Sequence, residues 1–157
     1  MLNIILQAAA ACFGTIAFSI FFRVPAKHFP TCGGIGAVAW IVYLLVLQYS
    51  MKNMLAVLAA AMAVVLLSRF WSVRNKCPLI TYLIPGIFPL VPGTGIYYTV
   101  LNVISGEQSQ AISGFIGAFK AAFAIAVAIL TGIIIPTKYI VALNDHLPKK
   151  KQYKKKK

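Results

Sequence analysis

The sequence predicts an all-α polytopic membrane protein with five transmembrane helices, the fourth of them broken. Three observations predict it. Hydrophobic residues make up 61% of the chain and charged residues 11%, with a mean hydropathy of +0.86. A soluble domain needs a polar surface around its core, and so few polar residues cannot supply one. The charges cluster between long apolar runs, as expected where each run crosses a hydrocarbon layer of about 30 Å. Finally, residues 77–106 carry no charge yet contain "PGIFPLVPGTG", rich in the two residues that a helix interior tolerates least.

Each span is read from an uncharged window. Residues 2–22 form the first; Arg23 and Lys27 follow it rather than precede it, the pattern of a retained anchor with its N-terminus outside. Residues 33–49 form the second. Residues 53–68 form a short third, roughly 24 Å of helix, so Lys52 and Arg69 are expected to snorkel to opposite interfaces with Trp71 as an anchor. Residues 78–104 form the broken fourth. Residues 111–143 form a fifth that is longer than a bilayer requires, and Pro136 is expected to kink it or end its embedded part. Together residues 1–143 make the transmembrane domain, and residues 144–157 a polybasic tail.

Five crossings place Arg23, Lys27, Arg69, Arg74, Lys76, Lys138 and the tail lysines on one side, leaving Lys52 and Glu107 on the other. The positive-inside rule then sets the N-terminus outside and the C-terminus in the cytoplasm. A re-entrant fourth segment would carry the polybasic tail outside, so that segment is expected to cross. Beside a membrane the lysines attract anionic lipid headgroups, at about 1 kcal/mol each, rather than nucleic acid.

Other chemistries lack their residues. The only carboxylates are Glu107 and Asp145, on opposite sides in this topology, so no acid pair can perform general acid and base catalysis. No enzyme is expected. Cys12, Cys32 and Cys77 have no metal spacing and read as small buried residues. His28 and His146 fall in predicted loops, so neither a metal nor a cofactor is expected. Gly93 and Gly95 lack the third glycine and the lysine of a nucleotide loop.

The broken span has two readings, a sharply kinked structural helix packed on its neighbours and a solute site. Pro85, Gly86, Pro89 and Pro92 interrupt the helix, and each proline frees a carbonyl that lipid cannot satisfy. Irregular backbone at this depth is expected to line a cavity, with the amino end of a half-helix turned to an anionic solute. Gly93, Thr94 and Gly95 would form that end, and Tyr97, Tyr98 and Asn102 would add polar tips. Lys120 lies within an apolar run, where a charge serves a ligand or partner unless it snorkels to the interface. Gly114, Ala118, Ala122 and Ala126 form a small-residue ridge that invites a close helix neighbour, and Ala10 and Gly14 a weaker one.

The stretches "FRVPAKHFPTCGGIGAVAW" and "IPGIFPLVPGTGIYYTV" resemble, in order and spacing, the small five-span (YjjB-like) component of the threonine/serine exporter (ThrE) family. The resemblance covers nearly the whole chain. It departs from the family pattern in the long lysine tail and at Arg23, where an uncharged polar residue is common. It implies one half of a two-component secondary exporter, working as a hetero-oligomer with a larger homologous subunit that supplies five further spans. It implies proton-driven export of threonine and serine, with a dicarboxylate such as succinate as the alternative solute. A non-transporting scaffold subunit is the remaining alternative.

Overall fold

The computed structural model describes residues 2–134. Pro136, Lys138, Asp145, His146, the end of the expected fifth span and the lysine tail lie outside the described residues. The described residues build six α-helices: α1 Leu2–Phe21, α2 Phe29–Ser50, α3 Asn53–Asn75, α4 Ile80–Ile87, α5 Gly93–Ile104 and α6 Gln108–Ile134. Four of these, α1, α2, α3 and α6, are long and apolar enough to cross a membrane, and α4 with α5 make a fifth if the bent pair counts as one span.

α3 extends beyond the expected window. It continues through Arg69 and Trp71 to Asn75, giving about 34 Å of helix, so this span is not short. The charge at Arg69 ended the window in sequence, but the residue has a partner in the fold. Its guanidinium donates to the carbonyl oxygens of Gly132 and Ile133 of α6; the residue four beyond Gly132 is Pro136, which has no N–H to offer that carbonyl.

Helix ends explain several boundaries. Arg23 has φ 54°, the left-handed region, and Val24 N–H reaches back to Ser19 O at 2.9 Å while Arg23 N–H reaches Ile20 O. This Schellman arrangement closes α1. Lys76 (φ 50°) closes α3 in the same manner, with Cys77 N–H on Ser72 O, and Gly106 (φ 78°) ends α5 with Glu107 N–H on Asn102 O.

α3 stands at the centre. Of its apolar window 44% is buried within the chain, against 22% for α1 and 28% each for α2 and α6. Its inward face, Ala56, Val57, Ala60, Ala61, Val64 and Val65, is made of short side chains, which let α2, α4 and α6 approach closely. α1 packs on α2 through Ala8, Thr15 and Ser19, all buried, not through the Ala10–Gly14 pair. Thr15 sits so close to Gly36 that a β-carbon there would lie 2.0 Å from its Oγ1. α4 is wedged between α2 and α3; a β-carbon on Gly86 would meet Val64 at 2.9 Å and Ile35 at 3.0 Å.

Candidate functional site: the cavity at the interrupted helix

The interruption is local. α4 runs straight through Pro85, which is fully buried, and Pro89 sits in a short 3-10 turn, Phe88–Leu90. The backbone leaves helical geometry at Val91 (ψ 129°) and Pro92 (ψ 53°), and the axis turns by 44° between Ile80–Leu90 and Gly93–Ile104. α5 then starts with Pro92 at its N-cap and no side chain capping it. Gly93 N–H bonds Val91 O at 2.7 Å and Ile96 N–H bonds Pro92 O at 3.1 Å, so the N–H groups of Thr94 and Gly95 are the ones left without a helix carbonyl.

A cavity of about 280 Å³ lies beside this start. Trp40 and Tyr43 line it from α2, Asn53 and Val57 from α3, Leu90, Val91, Pro92, Thr94 and Gly95 from the interruption, and Gly114, Gly117, Ala118 and Ala121 from α6. The absent or short side chains of α6 leave the volume open, while the aromatic pair walls it, its ring centroids 5.2 Å apart. Tyr43 donates its hydroxyl to Asn53 Oδ1 at 2.9 Å, which fixes both side chains. Trp40 Nε1 donates to Gln7 of α1 at 3.2 Å. No charged residue lines this cavity.

The sequence-predicted residues divide. Thr94 and Gly95 line the cavity together with Gly114 and Ala118. Gly93 opens α5 but an added β-carbon would meet nothing within 4 Å. Tyr97 and Tyr98 are exposed, one ring edge-on to the other at 5.3 Å. Asn102, half-buried, lies two turns further along α5. Lys120 is exposed, and among the described residues no acceptor bonds its ammonium. It is one residue, about 100° of helix rotation, from Ala121, so it does not share the cavity wall.

The small-residue ridge also divides. Gly114 meets Thr99 and Ala118 meets Gly95 across the α5–α6 contact, whereas Ala122 and Ala126 are exposed. Further along α6 the buried positions are Ala121, Ala124, Ile125, Ala128 and Gly132, with Gly132 against Val65 of α3. Contacts thus follow the alternating spacing 114, 118, 121, 125, 128, 132. A strict step of four drifts about 40° per step around a helix, and alternating fours and threes cancel the drift.

Trp40, Tyr43 and Asn53 were not among the residues the sequence proposed for binding. A Trp and a Tyr three apart on one helix face, followed by an Asn at the start of the next helix, were the available signal. His28, expected in a loop, is instead 5% exposed in a 3-10 turn, Ala26–His28, that leads into α2.

Apolar helices of crossing length, with an interrupted helix beside a half-open cavity, are the architecture of a polytopic membrane protein. The family model described as Threonine/Serine exporter, ThrE, matches residues 7–135, most of the chain. The chain belongs to the threonine/serine exporter (ThrE) family, a family of transporters rather than enzymes. No curated protein and no solved structure gives a match.

Proposed function

We propose that this chain is the small integral-membrane half of a two-component secondary exporter, that α4 and α5 together form one broken span, and that the cavity beside α5 holds the solute. The topology is then five spans in the inner membrane, N-terminus outside and C-terminus in the cytoplasm. The observation that carries the reading is the cavity itself, bounded by the uncapped start of α5 and by Trp40, Tyr43 and Asn53.

Its chemistry suits a small zwitterion. The volume falls just below the range of roughly 300–1,000 Å³ typical of drug-sized ligands, enough for a solute of a few heavy atoms. The α5 terminus offers about half a positive charge and the N–H donors of Thr94 and Gly95 to one carboxylate. An ammonium can rest against the aromatic lining and the Asn53 carbonyl. A dicarboxylate would bring a second negative charge to a wall without a cation, so threonine and serine fit better than succinate.

The test uses Trp40 as its own reporter. Replacing Trp71 by Phe leaves Trp40 as the sole tryptophan. Threonine is expected to change its fluorescence saturably in nanodiscs, Asn53→Ala to weaken binding about tenfold, as loss of a hydrogen bond to a charged group does, and Gly95→Leu to abolish it. The control Gly93→Ala should stay within about twofold, since space is open there. Saturation by succinate but not threonine would reverse the assignment, and wild-type affinity in Gly95→Leu would remove the solute from this cavity.

A further inference from the structure

At the opposite end of the bundle from Asn53, three polar side chains meet in a largely buried place. Tyr82 of α4 is 0% exposed and His28 is 5% exposed. The Tyr82 hydroxyl lies 2.6 Å from His28 Nδ1 and 2.6 Å from Asn75 Nδ2, at the end of α3. The two rings stand edge to face, centroids 5.3 Å apart. The cluster therefore ties the α1–α2 turn and the end of α3 to α4, the first half of the interrupted helix.

The donors and acceptors assign the protons. An amide nitrogen only donates, so the Tyr82 oxygen accepts from Asn75. Nδ1 of a neutral ring with its hydrogen on Nε2 accepts the phenol hydrogen, whereas the other tautomer would donate to the phenol and turn that hydrogen toward the Cys77 thiol, a weaker acceptor. A proton arriving at Nδ1 from solution turns that nitrogen into a donor. The phenol oxygen would then accept twice, and its own hydrogen would have to turn to a weaker acceptor such as the Cys77 thiol.

We propose that His28 is a proton-binding site and that its charge state sets how firmly α4 is held, because only the neutral ring accepts the Tyr82 hydroxyl. The surrounding groups favour a switch over a permanent ion pair. Lys27 is next in the same turn, Cys32 of α2 and Cys77 before α4 lie near the phenol, and Arg74 and Lys76 flank Asn75 in sequence. Among the described residues the only carboxylate is Glu107, at the start of α6, so no acid holds the imidazolium. A free histidine changes charge near neutral pH; burial, with Lys27 beside it, moves the change at His28 to lower pH. Coupling of this proton to solute movement rests on the exporter reading above; the proton site does not.

Nitrogen-15 NMR of histidine in the full chain in nanodiscs tests it, with His146 assigned through His146→Asn and Tyr82 through Tyr82→Phe. At pH 8 the His28 signals are expected at positions for a bare Nδ1 and a protonated Nε2. Lowering the pH to 5 should move both to imidazolium positions, and the Tyr82 ring carbons should shift with the same midpoint. In His28→Asn, which keeps an acceptor but takes no proton, the Tyr82 signals should stay still. A proton on Nδ1 at pH 8, a ring neutral throughout, or a Tyr82 signal that ignores the titration overturns the proposal, and these wild-type outcomes stand even if the variant misfolds. In cells, His28→Asn should flatten the pH dependence of efflux; unchanged dependence would refute the coupling. A chain that titrates as expected while cells holding both halves export neither threonine nor serine would overturn the exporter reading and leave the proton site intact.

Discussion

Gly36 shows how little a side chain can be allowed where α1 meets α2. A β-carbon there would sit 2.0 Å from Thr15 Oγ1 and 2.8 Å from Thr15 Cβ, and the Thr15 hydroxyl already donates to Ala11 O at 2.7 Å. No rotation of Thr15 moves its own Cβ, so the helices must part. Gly36→Ala is therefore expected to destabilise the chain by about 1–3 kcal/mol, the usual cost of overpacking. Gly34 is the control: nothing lies within 4 Å of its added β-carbon, and Gly34→Ala should be neutral or slightly stabilising through helix propensity. Thermal unfolding in one detergent compares the two, and equal midpoints would show that the approach is not tight. The sequence offered "GGIG" as a cluster without saying which glycine was essential. Helix phase decides it, and phase depends on where α2 begins, which Pro30 and the preceding turn set.

At the scale of the element, apolar windows located the helices, and partners set their limits. Arg69 looked like an interface marker because a charge in isolation prefers water, yet the end of α6 supplies it with carbonyls. The proline-rich run announced an interruption, but only Val91 and Pro92 leave helical geometry; Pro85 and Gly86 serve the packing of α4 instead. α6 shows the same lesson. Its ridge was legible as small residues, but which of them touch this chain depended on α3 and α5. The face left over carries Lys120, Ala122, Ala126 and three phenylalanines, Phe115, Phe119 and Phe123, all exposed. If the larger half-transporter covers that face, an acid of that subunit is the counter-ion Lys120 requires within a bilayer. Lys120→Met keeps the length and removes the charge, so co-purification of the larger subunit should fall at least tenfold while threonine affinity of this chain stays within twofold. Unchanged co-purification would assign Lys120 to the lipid interface, and a large loss of affinity would return it to the solute.

For the whole molecule, charge asymmetry makes the testable statement. A reporter fused after Lys157 should be cytoplasmic, and a cysteine replacing Gly106, the exposed link between α5 and α6, should react with an impermeant thiol reagent from outside. An outward C-terminus would mean that α4 and α5 return to the side they left. Fold class and helix order were legible because hydropathy and basic residues act over whole segments. The cavity was less so, because Trp40, Tyr43 and Asn53 meet Thr94 and Gly95 only after four helices have packed. One feature of that packing also bears on how the protein is made. α5 buries no residue of its own, and it meets α6 through Gly95 and Thr99 against Ala118 and Gly114. A ribosome adding 5–20 residues per second needs roughly one to four seconds to travel from Thr99 to Ala118. During that interval the nascent α5 lacks its principal neighbour, and its apolar side chains face lipid until α6 arrives.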